Sequence, residues 1–146
     1  MKSATGRLIP QPWPWSGRAR VLVEHADEAR GLALASALRG AGYAVAVCPG
    51  PESPEPCPLA GHEGCAIAHD ADAVFFSLGL GSPATRDILQ ALKASFPVTP
   101  ILVEATVDET AEWQDLLRGC DLVPPFVTPD QIVTLVGEAL ASRVGA

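Results

Sequence analysis

The stretch RVLVEHADEARGLALASALRGAGYAVAV, residues 20–47, decides the fold class. It opens with a short apolar, β-branched run, RVLVEH, which predicts a buried strand. Asp27 can then cap a helix whose Leu34 and Leu38 share one face, and Gly42 stands where such a helix should stop. The run YAVAV that follows predicts a second strand. This order of elements predicts two parallel strands joined by a right-handed crossover.

The same alternation of strand and helix runs to the end of the chain. Three further apolar runs predict strands, at residues 71–78, 99–106 and 120–123. Three helix starts are predicted, at Ser82 with Pro83, at Asp108, and at Thr128 in a capping box with Gln131. The sequence therefore predicts one α/β domain over residues 19–146, with five parallel strands and about four full helices. A proline- and glycine-rich tail, residues 1–18, precedes it.

Composition and charge exclude several classes of partner. The chain has 146 residues and 48% hydrophobic content, which suits one domain with a real core. A net charge of −7 argues against nucleic acid and against anionic membrane surfaces, since both require clustered Lys and Arg. No apolar run approaches the roughly 20 residues of a membrane span, and the N-terminus lacks the apolar core of a signal peptide. The chain is therefore predicted to be cytoplasmic.

Three segments of the chain resemble the receiver domain of bacterial response regulators. They are RVLVEHADEARGLALASALRGAGYAVAV, ADAVFFSLGLGSPATRDILQALKASFPVTPILVEAT and GCDLVPPFVTPDQIVTLVGEAL. The resemblance covers roughly residues 19–143 in order and spacing, apart from one cysteine-rich stretch. It implies a flavodoxin-like, doubly wound parallel sheet of five strands in the order 2-1-3-4-5. The second helix of that fold is expected to be shortened or replaced by the cysteine-rich stretch.

The chemistry of a receiver depends on a few residues, as the resemblance implies. An acidic cluster after the first strand holds Mg²⁺, and an aspartate that ends the third strand accepts a phosphoryl group. A Ser or Thr ends the fourth strand, and a Lys ends the fifth. The equivalent positions in this chain are Glu24, His25, Asp27, Ser77, Ala105 and Pro124. The acceptor aspartate and the lysine are absent, and a serine without a base or a metal is a poor nucleophile.

The expected function is therefore a regulatory module of bacterial signal transduction that is not phosphorylated and is not an enzyme. It would act by contact with a protein partner or with a second copy of itself. By resemblance to receivers, the expected contact face is built from the fourth and fifth strands and the last helix.

The run CPGPESPEPCPLAGHEGC, residues 48–65, suggests a metal site. Its pattern is Cys48-x8-Cys57-x4-His62-x2-Cys65, and three thiolates with one imidazole satisfy tetrahedral zinc. The same ligands could hold an iron–sulfur cluster. The spacing is not that of a standard zinc finger, so a redox-active cysteine pair and cysteines that only pack remain open. Cys120, at the start of the fifth strand, is predicted to be a buried small residue.

The Cys48–Cys65 stretch thus gives a second hypothesis for the function, a metal or thiol redox sensor. A third hypothesis concerns the loop GLGSPA, Gly79 to Ala84. It follows a predicted strand, opens a helix and matches G-x-G-x-x-A, which is typical of a turn that binds phosphate on backbone N–H groups. Glu104, at the end of the next strand, stands where an acid could bind a ribose. The motif follows the third strand and not the first, so a nucleotide site is an alternative to the interaction module.

Overall fold

The structure, a computed structural model, describes residues 17–50 and 66–144. Within them lie five strands: β1 Arg20–His25, β2 Ala44–Cys48, β3 Ala73–Ser77, β4 Ile101–Glu104 and β5 Asp121–Val123. They form one sheet in the order β2-β1-β3-β4-β5, and every pairing is parallel. The doubly wound order 2-1-3-4-5 predicted from the sequence is confirmed.

Six helices connect and cover these strands in the described part of the chain. They are α1 Glu28–Gly40, α2 Ala66–Asp70, α3 Pro83–Ser95, α4 Val107–Glu112, α5 Gln114–Leu117 and α6 Pro129–Val144. None of the helices within these residues has both the length and the apolar character needed to cross a membrane.

The sheet has an apolar core on each face because alternate strand residues point in opposite directions. On one face, Val21 and Val23 pack in a cluster with side chains of α1 and α6. On the other face, Leu22 belongs to a cluster with side chains of α2, α3 and α5. Phe75 and Phe76 are neighbours in β3, and they are fully buried on opposite faces. The three central strands, β1, β3 and β4, are therefore covered on both sides.

Three of the predicted helix starts are confirmed by cap hydrogen bonds. Asp27 Oδ1 accepts from the N–H of Arg30 at 3.1 Å, so Asp27 caps α1. Ser82 caps α3 in the same way, with Pro83 in the first turn. Thr128 and Gln131 form the predicted capping box at the start of α6, each side chain accepting from the other's backbone N–H.

The predicted cap at Asp108 is wrong. Thr106 caps α4 instead: its hydroxyl accepts from the N–H of Glu109, and Glu109 Oε1 accepts from the N–H of Thr106, both at 3.1 Å. This reciprocal pair satisfies two backbone donors at once, which leaves Asp108 inside the first turn. The single helix expected after it is divided into α4 and α5, because Trp113 has a backbone outside the helical region, with φ −116° and ψ 30°.

The crossover between β2 and β3 contains the short helix α2, which has five residues. The sequence predicts for this place a second helix that is shortened or replaced by the cysteine-rich stretch. Residues 51–65, the greater part of the cysteine-rich stretch, lie outside the described residues, as does most of the predicted N-terminal tail. Cys120 is half-buried against the core on the α3 side, and β5 begins one residue after it, at Asp121.

Candidate functional site

The candidate site lies at the carboxyl edge of the sheet, where ligands bind in folds of this topology. The ends of parallel strands meet there, and the structure brings His25, Ser77 and Glu104 to this edge. His25 and Ser77 are direct partners in the ladder between β1 and β3. These are the residues that sequence reasoning placed at the ends of β1, β3 and β4.

A buried carboxylate, that of Glu104, connects several elements at this edge. Its Oε1 accepts a hydrogen bond from the Ser77 hydroxyl at 2.7 Å, and its Oε2 accepts from the N–H of Val127 at 2.7 Å. Arg30 of α1 lies 3.7 Å from the same Oε2 and donates to the Val127 carbonyl at 3.2 Å. We call these four residues the Glu104 network. It ties β3, β4, α1 and the start of α6 together.

The Glu104 network determines what surrounds the hydroxyl group of Ser77. The Ser77 hydroxyl already donates to a carboxylate of the protein itself. Ala105 is buried, and the hydroxyl of its neighbour Thr106 is used to cap α4. Pro124, which the resemblance matches to the lysine of a receiver, is exposed. In the described structure, Arg30 is the cation that lies beside the Glu104 carboxylate.

His25 serves as a hydrogen-bond acceptor in this structure. Its Nδ1 accepts from the N–H of Asp27 at 3.0 Å, which leaves the ring proton on Nε2. Burial lowers the pKa of His25 and so does the charge of Arg30, while the carboxylates of Glu104 and Asp27 oppose that shift. The ring is therefore held neutral. Its Nε2 is buried and has no hydrogen-bond partner within residues 17–50 and 66–144.

Close packing of α1 against His25 depends on a glycine. A Cβ atom at Gly31 would lie 3.0 Å from the Cβ of His25 and 3.4 Å from a methyl group of Val47. Only a residue without a side chain lets the helix approach the end of β1 this closely. Gly31 thereby helps to keep the imidazole buried.

Glu24 is a buried acid on the opposite face of the sheet from His25. It is 2% exposed, and its Oε2 has no hydrogen-bond partner among the residues that the structure describes. Burial raises the pKa of Glu24 from the ordinary 4.5 to about 8, so the carboxyl group is mainly neutral at pH 7. Its direct partners in the ladder are Cys48 on β2 and Phe76 on β3.

One of the four predicted metal ligands can be located. Cys48 ends β2, is half-buried, and packs against the core on the same face as Leu22. The other three, Cys57, His62 and Cys65, lie outside the described residues. Residues 17–50 and 66–144 by themselves contain no group of three or more His, Cys, Asp or Glu that could hold a metal ion. The four-ligand site thus stays a prediction.

The predicted phosphate loop is bound to its own protein. The N–H of Leu80 donates to Glu109 Oε2 at 2.8 Å, and the N–H of Ala84 donates to the Ser82 hydroxyl at 3.1 Å. Arg86 donates to the Leu80 carbonyl at 2.7 Å and stacks on Trp113, 4.2 Å from the ring centre. Two backbone N–H groups that a bound phosphate would require, those of Leu80 and Ala84, therefore already donate to side chains of the protein. The nucleotide site stays a prediction that no contact described here favours.

Sequence reasoning missed the roles of Arg30 and Val127 at this edge. Arg30 lies in the first turn of α1, in the third position after the cap, and its charge alone gave no reason to place it beside β4. The donor of Val127 is a backbone N–H, which carries no signal in the sequence. Glu104 was noted as a possible ribose ligand, but the structure shows it engaged within the protein.

Receiver domains are the solved structures to which this chain is similar. A CheY-like response regulator receiver domain protein from Methanospirillum hungatei JF-1 matches with a TM-score of 0.68 at 17% identity, covering 88% of this chain and 98% of that chain. A receiver domain protein from Clostridium thermocellum matches with a TM-score of 0.66 at 15% identity, covering 86% and 97%. The chain has the fold of a response regulator receiver domain.

An orphan response regulator of H. pylori also has this receiver fold, with a TM-score of 0.62 at 19% identity, covering 85% of this chain and 98% of that chain. At such identities the likeness concerns the fold, and function has to be argued from the site. No protein-family model and no curated protein sequence matches the chain.

The Glu104 network should contribute measurably to stability. Glu104→Gln keeps the size of the side chain but leaves one carbonyl oxygen to serve two donors, Ser77 and Val127. We expect the free energy of unfolding in urea to fall by about 1.5–3 kcal/mol, the range for hydrogen bonds to charged groups. The matched control is Glu138→Gln on the exposed side of α6, which should change it by less than about 0.5 kcal/mol. Equal effects of the two substitutions would contradict a structural role for Glu104.

Glu24 should make the protein less stable at alkaline pH. Its pKa is about 8 in the folded chain and ordinarily 4.5, so between these values the folded state binds more protons than the unfolded state. The stabilising contribution is complete below pH 4.5 and is lost as the pH rises through 8. Glu24→Gln removes this dependence. The free energy of unfolding of the variant relative to the wild type should therefore rise by roughly a few kcal/mol between pH 5 and pH 9.

The measurement for Glu24 is urea unfolding across this pH range in the presence of EDTA, so that no metal contributes. Glu138→Gln again serves as the control, since its carboxylate is exposed on α6. A constant difference between Glu24→Gln and the wild type at all pH values would show that the acid is not buried as described.

Proposed function

We propose that this chain is a regulatory module with the receiver fold that does not accept a phosphoryl group and acts through protein contacts without catalysis. The fold fits a component of signal transduction. The observation that carries the rest of the proposal is the hydrogen bond of 2.7 Å from Ser77 to Glu104, at the position where a receiver has its acceptor aspartate.

Electrostatics argue against transfer of a phosphoryl group to Ser77. A phosphoryl group on this hydroxyl would place its negative oxygens beside the Glu104 carboxylate, and like charges at such a distance repel strongly in a partly buried site. The lysine that would offset this charge in a receiver is replaced by Pro124. The guanidinium of Arg30 is already shared between Glu104 and the Val127 carbonyl.

The proposed mode of action follows from this arrangement. The Glu104 network fixes the start of α6, since Val127 donates to Glu104 from the residue just before the capping box of that helix. The surface near the network, built from β4, β5 and α6, is then held in one state without any modification. We infer that partner proteins recognise this state directly. The amount of complex would then be controlled by the availability of the partner and not by a modification of this chain.

Incubation with a small-molecule phosphoryl donor and Mg²⁺ tests the first part of the proposal. We expect intact-mass spectrometry to show no phosphoryl adduct on the wild-type chain, and the same result for Ser77→Ala. An adduct on the wild type that disappears in Ser77→Ala would contradict the proposal, because it would show that the site accepts the group despite Glu104.

A second candidate function, a metal or thiol sensor, is favoured by the pair formed by Glu24 and Cys48. These residues are direct partners in the parallel ladder, so their side chains leave the sheet on the same face at its carboxyl edge. Zinc or an iron–sulfur cluster held by Cys48, Cys57, His62 and Cys65 would lie next to the buried carboxyl group of Glu24. A nearby metal cation would favour the ionised form of this acid and compensate for its burial.

Metal analysis of protein purified without oxygen tests the second candidate. We expect a stoichiometric amount of zinc, or iron with a visible chromophore, in the wild type and a loss of that metal in Cys48→Ser. Cys120→Ser is the matched control, because Cys120 is also a half-buried cysteine but stands at the start of β5. Wild-type protein without metal, or equal metal content in both variants, would contradict a site that includes Cys48.

A further inference from the structure

The strand β2 forms one edge of the sheet in the described part of the chain. Its five residues, Ala44–Cys48, carry no charge and are all half-buried, whereas the neighbouring β1 is almost wholly buried. Native sheets usually protect an edge by charge, by short length or by a covering segment, because its free N–H and C=O groups can pair with another strand. The opposite edge strand, β5, has three residues and begins at the exposed Asp121. The strand β2 lacks both of these protections.

Alternate residues of β2 direct their backbone groups away from β1. The N–H of Ala44 donates to the Ala19 carbonyl at 2.9 Å, so the backbone groups of Ala44 face β1. Because this direction changes at each residue of a strand, those of Val45 and Val47 face the free edge. Arg39 of α1 donates to the Val45 carbonyl at 3.0 Å, and the second lone pair of that oxygen can accept from another donor.

Apolar surface lies beside this free edge. The side chains of Val45 and Val47 are half-buried and pack on the sheet face that α1 covers. Leu32 of α1 is 49% exposed. It stands two turns before Arg39, which contacts β2, so Leu32 lies on the side of α1 that borders β2. We call Leu32, Val45 and Val47 the apolar strip.

The sequence before β1 has the pattern of a strand that pairs along one edge only. The run IPQPWPW, which we call the proline run, occupies residues 9–15 and has proline at every second position: Pro10, Pro12 and Pro14. Proline has no N–H, and within sheets it is confined mainly to edge strands. In an extended chain the N–H groups of the other residues would all point to one side. The prolines would leave the opposite side without donors.

The proline run is close enough to β1 in the sequence to reach the free edge of β2. Ala19 is held by the N–H of Ala44, and Gly17 has a positive φ of 70°, as in a turn. Trp15 precedes Ala19 by four residues and can lie up to about 13 Å from it. A strand beyond β2 would lie about 10 Å from β1, which is two strand spacings. A segment that enters β1 from this position would run antiparallel to β2.

We propose that the proline run of this chain pairs with the free edge of β2 as an added antiparallel strand. Only the residues that keep an N–H can donate, so these residues would face Val45 and Val47. Directly opposite residues of paired strands have side chains on the same face of the sheet. Trp13 and Trp15 would therefore pack over the apolar strip. The outer side of the proline run would have few donors, so the sheet would end there.

Amide hydrogen exchange of the full chain, followed by NMR, tests this pairing. In the wild type we expect the N–H groups of Val45 and Val47 to exchange at least about tenfold more slowly than in an unstructured peptide. Ala44 and Ala46 face β1, so their slow exchange checks in every variant that the sheet is folded. A nuclear Overhauser effect between an indole ring of the proline run and the methyl groups of Leu32 is the second expected result.

Two substitutions in the proline run form a matched pair. Gln11→Pro removes an N–H that faces β2 and puts a ring against the strand, so the exchange of Val45 and Val47 should become about tenfold faster. Pro12→Ala restores an N–H on the outer side only. It should accelerate exchange by less than about fivefold, through the greater freedom of the unpaired chain.

Three results would overturn the proposal. Fast exchange of Val45 and Val47 in the wild type would mean that nothing pairs with this edge. Slow exchange that survives Gln11→Pro, or equal effects of the two substitutions, would mean that another segment such as residues 51–65 covers it. Protection that increases with protein concentration would make the occupant a second copy of the chain.

Discussion

The carboxylate of Glu104 is the interaction on which the carboxyl edge of this molecule depends. It is almost completely removed from water, and its two oxygens each accept a hydrogen bond of 2.7 Å, one from Ser77 and one from the backbone of Val127. A buried charge is tolerated only when it is paired and hydrogen-bonded, and here Arg30 provides the nearby opposite charge. Because these partners belong to β3, α1 and the entry to α6, one side chain fixes the relative position of three elements.

Two ionisable residues of β1, Glu24 and His25, are uncharged at the same edge, and burial is the main cause for both. Burial keeps Glu24 protonated at neutral pH, and burial together with Arg30 keeps the ring of His25 neutral. At the network, Glu104 and Arg30 form an ion pair with each other. An edge that holds a divalent cation and a phosphoryl group in other proteins of this fold would need the reverse distribution, with several carboxylates ionised and directed at the ligand. This contrast is the physical basis for proposing a module that acts by contact.

The cysteine-rich stretch begins near the other edge of the sheet from β5. Its first residue, Cys48, ends the edge strand β2 and is the direct ladder partner of Glu24. Both side chains leave the sheet on the face that α2, α3 and α5 cover.

The sequence by itself determined the alternation of strands and helices and the helix starts at Asp27, Ser82 and Thr128, because apolar periodicity and capping are local or regular patterns. The strand order 2-1-3-4-5 was implied by the resemblance to receiver domains, and the sheet confirms it. The identities of Ser77, Ala105 and Pro124 can also be read from the sequence alone, and their match to receiver positions stays a prediction. Sequence reasoning failed at α4, where Asp108 and Thr106 are both good caps and only the backbone geometry chooses Thr106. The tertiary structure alone decided that Glu104 contacts Ser77, Arg30 and Val127. The two residues of each hydrogen-bonded pair in this network are 23 to 97 residues apart in the sequence. No local pattern in the sequence indicates that the backbone N–H of Val127 will bind Glu104, or that burial will raise the pKa of Glu24. Both arise only when distant segments pack together.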